Sequence, residues 1–229
     1  KDAGIKTPKD LEGRKVGVPR LANTAALWAR GALTHAYDVD YSKVHWVPFS
    51  EEYAEGMEKS KEVDLAAVMS NKSEAQALID GDVDAYISPS ESDEMFKEGS
   101  VITRLFPNFR EEEQEYFRRT QLFPIMHTFV VRDNLLQNEP WIVGSLMDAW
   151  NESMRRTYRW VRDQRKSILV WAGDYYLQER EFFGDFDPWK MDFQYNYKAL
   201  DALCQYGYEQ KLVETRFKPE DIWVTGPTS

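Results

Sequence analysis

Cysteine is nearly missing from this 229-residue sequence: a single one, Cys204, rules out an intramolecular disulfide, and its helical surroundings suggest a buried, inert thiol. Histidine is almost as scarce. Three widely spaced rings, at His35, His45 and His127, with no His-Glu-x-x-His and no paired cysteines, leave a metal centre only if carboxylates distant in sequence assemble one. No run reaches the roughly 18 to 20 apolar residues of a bilayer span, so no membrane insertion is expected. No charged-then-apolar leader opens the chain, but it begins at Lys1 rather than methionine, and the missing leader does not decide localisation. Glycine-rich phosphate loops and Gly-x-Ser-x-Gly elbows are also lacking, which removes nucleotide hydrolysis and serine acyl transfer. Cations are in deficit, 29 Lys and Arg against 39 Asp and Glu, for a net charge of −10. That average argues against nucleic acid or an anionic membrane surface as partner, because both need a basic face. Any small anion must be drawn in by a local cluster of donors.

Apolar residues make up 42% of the chain and aromatics 14%, enough for one large domain or two lobes of about 100 residues. Val16 to Val18 reads as a buried strand after the polar turn Asp10 to Lys15. A helix from about Asn23 to Ala36 follows, with Ala26, Leu27, Leu33 and Ala36 near one face. Val44 to Val47 is a second strand, Glu51 to Asp64 a solvated acidic stretch, Ser73 to Ile79 a helix stopped by Gly81, and Ala85 to Ile87 a third strand. Strand, helix, strand, helix, strand predicts an α/β fold with a parallel sheet. Farther on, Val101 to Phe106 and Phe123 to Arg132 read as extended and Arg110 to Arg119 as a charged helix. From Pro140 the chain is mainly helical. Val143, Leu146, Trp150, Met154, Thr157 and Val161 recur at helical spacing, and a helix from about Asp192 to Tyr206 buries Phe193, Tyr197, Leu200 and Leu203 before Gly207.

Ligands of open α/β sheets gather beyond the carboxyl ends of the strands, near helix starts. That rule places Arg20, Asn23 and Thr24 after the first strand, and Ser88 and Ser90 after the third, at one mouth. A helix start offers unpaired N–H groups, and guanidinium groups hold carboxylates by paired hydrogen bonds. Asn23 and Thr24 could equally serve only as helix caps, Trp28 as core rather than stacking platform, and Arg30 as a surface partner of Asp38 or Asp40. His127 closes an apolar run. Its ring is either a buried structural group or a proton donor or acceptor. His45 is a weaker candidate, and His35 reads as surface.

Three segments, Asp10 to Val18, Thr24 with Trp28-Ala29-Arg30-Gly31, and Gly81-Asp82-Val83-Asp84-Ala85, resemble the second lobe of type II periplasmic-binding-protein-like folds. Phe123-Pro124-Ile125-Met126-His127, with Pro188-Trp189, Asn196, Leu200, Tyr206 and Glu209-Gln210, is more narrowly similar to the 4,5-dihydroxyphthalate decarboxylase family. The resemblance implies a two-lobed α/β fold, here with lobe one incomplete at its N-terminus. Residues 13–131 would form lobe two, with 1–12 and 132–229 as the hinge and the mainly helical remainder of lobe one. It implies decarboxylation of a hydroxylated, phthalate-like aromatic acid in an interlobe cleft without a cofactor. His127, Arg20 and Arg30 would be the catalytic residues, and Asn23, Thr24, Trp28, Ser88 and His45 would line the substrate. Pro188-Trp189-Lys190-Met191 departs from the Trp-Pro-Tyr-Gly-like sequence expected of a decarboxylase, so Lys190 could change what the pocket accepts. The alternative is a solute-binding protein delivering a small aromatic or organic acid to an ABC-type transporter. The enzyme would be cytoplasmic and the binding protein periplasmic; a homo-oligomer is compatible with either.

Overall fold

The computed structural model describes residues 3–50, 72–90 and 93–224. The acidic stretch Glu51 to Asp64 lies outside them. Strand β1 (Lys15–Val18) is central: β2 (His45–Pro48) runs parallel on one side, with Lys15 opposite His45 and Val18 opposite Pro48, and β3 (Ala85–Tyr86) runs parallel on the other. Parallel strands are covered on both faces and so read as continuous apolar runs. Val16, Val18 and Trp46 pack with Leu11, Leu21, Ala26 and Leu33 in one cluster. Val47, the next residue along β2 and therefore on the other face, packs with Ala77 and Val83.

The helices start and stop where local chemistry requires. Helix α1 (Thr24–Tyr37) is capped by Asn23, whose side chain accepts from the Ala26 amide, and ends at Asp38 in the left-handed region at φ 56°. Helix α2 (Glu74–Asp80) is capped by Ser73 and stopped by Gly81 at φ 77°, where a residue without a side chain is least strained. Helix α3 is Phe109–Thr120, with Phe117 buried. The stretches expected to be extended, Val101 to Phe106 and Phe123 to Arg132, form no strand; the Trp28 indole, rather than a sheet neighbour, holds the second by the carbonyl of Ile125. Helices α4 (Asp133–Asn138), α5 (Ile142–Arg162), α6 (Ala172–Phe183), α7 (Phe193–Glu209) and α8 (Pro219–Ile222) complete the described chain.

The chain divides into two compact units, Lys1–Met126 with Ala202–Arg216, and His127–Asp201 with Phe217–Ser229. The first contains the sheet and the two apolar clusters described on its faces. The second is helical; α5 packs against α6, and α5 has no fully buried residue. Thr157, expected on its apolar stripe, is exposed. Helix α7 runs three residues beyond the expected Tyr206 end and passes through Gly207, because Tyr206, Glu209 and Gln210 are all engaged by α1.

Candidate functional site

The turn from β1 into α1 is built by short-range bonds at the carboxyl edge of the sheet. The Phe49 amide donates to the Val18 carbonyl (2.9 Å) and the Ser50 amide to the Pro19 carbonyl (3.1 Å). Ser50 Oγ donates to the same Pro19 carbonyl at 2.9 Å and accepts from Arg20 Nε at 3.1 Å. Arg20 is thus held beside the start of a 14-residue helix, where the dipole favours an anion. Asn23 caps that helix with its side chain, so its carboxamide oxygen is already engaged by the Ala26 amide at 3.1 Å. Thr24 is the first helical residue and half-buried. Ser88 is exposed just past β3 and closes a small turn with Ser90, whose amide donates to Ser88 Oγ at 3.2 Å. Arg20, Asn23, Thr24 and Ser88 therefore all belong to carboxyl-end connections of the sheet.

Two further residues belong to that edge that the sequence reading passed over. Phe49 and Tyr86 meet edge to face with centroids 5.0 Å apart. They lie over Gly17: a Cβ there would stand 2.5 Å from the Tyr86 ring and 2.8 Å from Phe49. The Tyr86 hydroxyl donates to Glu74 at 3.2 Å, and burial, followed by the Glu74 charge, raises its pKa above the usual phenol value. Phe49, like Ser50, follows β2, so the carboxyl-end rule applied to the second strand would have selected it; Tyr86 is the last residue of β3 and falls under the same rule.

His45 lies elsewhere. It is the first residue of β2, exposed and opposite Lys15, so it sits at the amino end of the sheet, about 10 Å along the strand from the mouth. Placing it with the substrate is corrected by the strand's direction.

Arg30 and Trp28 belong to the interior rather than to an open wall. Arg30 is 1% exposed. Helical side chains lean toward the N-terminus, and this one reaches back to donate from Nη2 to the Leu21 carbonyl. Its Nε donates to Gln210 Oε1 at 2.7 Å, and the Tyr41 and Trp46 rings lie 5.9 and 5.5 Å from its guanidinium carbon. Neither the expected surface pairing nor a substrate-facing position describes it. It pins from behind the β1–α1 turn that carries Arg20. Trp28 is 3% exposed; its indole donates to the Ile125 carbonyl at 3.0 Å and meets Tyr206 edge to face at 5.6 Å. That bond joins the Trp-x-Arg-Gly segment to the Pro-Ile-Met segment.

His127 is exposed rather than enclosed by an apolar surround, and it is the first residue of the second unit. His35 is bonded to Glu209 at 2.6 Å and stacked on Tyr206 at 5.0 Å. Among the described residues no group of three or more His, Cys, Asp or Glu is placed to hold a metal ion, and no helix is long and apolar enough to cross a membrane.

Comparison with known proteins places these features in context. Residues 1–159 match the family described as NMT1/THI5 like. A 4,5-dihydroxyphthalate decarboxylase of Comamonas testosteroni is 28% identical over 97% of this chain and 69% of its own length. A second protein of that name, from Pseudomonas putida, is 31% identical over 93 residues, 38% of this chain and 36% of its own.

Proposed function

The chain belongs to the NMT1/THI5-like family, whose fold is α/β and periplasmic-binding-protein-like, and from that membership we propose that it decarboxylates a hydroxylated aromatic acid of the phthalate class. The observation that carries this reading is Arg20, braced by Ser50 at the carboxyl edge of the sheet beside the start of α1. A guanidinium there suits a carboxylate bound by two parallel hydrogen bonds. In the proposed reaction the bond between the ring carbon and the departing carboxylate breaks, CO2 leaves, and the electron pair stays on the ring carbon, which takes a proton. A phenolic hydroxyl feeds density to that carbon, so the route needs no cofactor. His127 supplies the proton. Positioned proton transfer contributes roughly 100- to 10,000-fold, so orientation and electrostatics must provide much of the rest. Holding the departing carboxylate tightly would resist its loss; Arg20 therefore grips the carboxylate that stays, and the Phe49–Tyr86 pair offers the ring an apolar face. In this proposal the family's two-lobed architecture is kept, and the enzyme is cytoplasmic.

A second reading, a periplasmic solute-binding protein for a small aromatic acid, is favoured by one observation: His127 is exposed, whereas a proton donor to carbon works best shielded from water. Incubation with a panel of hydroxylated phthalates and benzoates, following CO2 release with and without chelator, separates the two. On the enzyme reading His127→Ala abolishes turnover and leaves binding within a few-fold of wild type. Ligand recovered unchanged from the wild-type protein would assign it to transport instead, and unchanged turnover in the variant would remove His127 from the mechanism.

A further inference from the structure

The end of α5 and its connection to α6 have two properties outside the proposed site. The first is charge: residues 155–166 contain Arg155, Arg156, Arg159, Arg162, Arg165 and Lys166 against Asp163 alone, a local +5 in a chain of net −10, so the rest carries −15. Glu152 takes up part of this through Arg155 and Arg156, and Asp163 pairs with Arg165 at 2.8 Å. Among the described residues Arg159 and Arg162 have no recorded acidic partner. Arg156, Arg159 and Lys166 line an open groove of about 490 Å³ with Trp160, Ser153 and Thr157.

The second property is apolar exposure at the tip. Four consecutive residues, Ile168, Leu169, Val170 and Trp171, are 99%, 64%, 83% and 63% exposed, and Trp160 is 53% exposed. Consecutive side chains that are all exposed describe a convex projection, not the lining of a groove. Such a contiguous apolar surface is unusual on a soluble protein and marks an interaction site.

We propose that this tip docks the protein on an anionic phospholipid bilayer, with Ile168 to Trp171 dipping among the headgroups and the arginines behind them against lipid phosphates. A projecting run of aliphatic residues ending in tryptophan suits the headgroup boundary, where indole rings settle. Arg159 and Arg162, on the last turn of α5, precede Ile168 in the chain and supply the charge for the anionic surface. The negative remainder of the molecule does not cancel this. Screening limits exposed charges to a range of about 8 Å at physiological salt, so the local count sets the sign that the bilayer meets. The whole-chain average, which argues against an anionic surface, is the wrong measure for this projection.

The test is cosedimentation of the full chain with vesicles containing roughly one-third phosphatidylglycerol in phosphatidylcholine, against phosphatidylcholine alone, at about 0.1 M salt. The protein should pellet with the anionic vesicles far more than with the neutral ones, with a blue shift of tryptophan emission. The double variant Arg159→Gln/Arg162→Gln should weaken partitioning roughly 20- to 30-fold, and Ile168→Asp/Val170→Asp should abolish it, both with unaltered circular dichroism. Wild type left in the supernatant with both vesicle types, equal binding to both, or variants that bind like wild type would each overturn the proposal. So would concentration-dependent self-association that the Ile168→Asp/Val170→Asp variant dissolves, which would assign the tip to a second copy of the chain.

Discussion

A buried guanidinium costs several kcal/mol unless its donors meet dipoles or aromatic faces. In Arg30 the Nη2 donor meets the Leu21 carbonyl and the Nε donor meets Gln210, while the Tyr41 and Trp46 rings flank the guanidinium carbon. Truncation to Arg30→Ala therefore removes packing and orphans both acceptors. Urea unfolding should show a loss of roughly 3 kcal/mol, with Arg30→Lys intermediate because one ammonium cannot reproduce the fork. Unaltered stability with only a raised KM would return Arg30 to the substrate. Exposed carboxylates set a different dependence. Asp40 is held down to about 2 from its ordinary 3.8, first by the Ser42 hydroxyl and then by Lys43. Asp10 is lowered chiefly by the Lys6 and Thr7 amides, and Glu12 chiefly by the Asp40 amide and Lys9. Since these folded values lie below the unfolded ones, their stabilisation is complete above the ordinary carboxylate range and is lost as pH falls toward the folded values. The urea midpoint should drop between about pH 4 and pH 2, less steeply in Asp40→Asn.

At the scale of elements, the C-terminal half of α7 is fitted onto α1 at one point of closest approach. A Cβ on Gly31 would stand 2.1 Å from the Tyr206 ring, which also meets Trp28 and His35. Gly31→Ala should cost about 1–3 kcal/mol by overpacking, and a double-mutant cycle with Tyr206→Ala should show strong non-additivity, since removing the ring frees the space. Additive effects would mean that the two helices do not share this contact. The same contact explains what the sequence did and did not disclose. The strand–helix alternation through Ala85, the capping alternative for Asn23, the helix beginning near Ser73 and the Gly81 stop were legible because each depends on residues a few positions apart. The carboxyl-edge rule likewise located Arg20, Thr24 and Ser88. The surface pairing expected of Arg30 did not form, and the choice for Trp28 between core and substrate wall stayed open, because their partners, Gln210 and Ile125, lie 180 and 97 residues away and no local pattern reveals such pairings. His45 stood at the amino end of its strand in the sequence already, and the carboxyl-edge rule, applied to it, would have kept it from the mouth.

Over the whole molecule, burial is unevenly spread. The two apolar clusters described around the sheet lie in the first unit, whereas in the second the described buried residues are Gly173, Ala199, Leu200 and Pro219. Few buried apolar contacts mean low local stability. Hydrogen exchange followed by mass spectrometry should find the amides of β1 and β2 protected at least roughly tenfold more than those of α5 and α6; equal protection would show that the second unit is stabilised by something other than its own burial.

The boundary between the units falls after Asp201, inside α7. A gene cut there has no neutral position. It leaves the sheet on the fragment that ends at Asp201 and strips from it Tyr206, Glu209 and Gln210, the residues by which α1 is held. A separately expressed sheet-bearing fragment must therefore keep the C-terminal half of α7 with it.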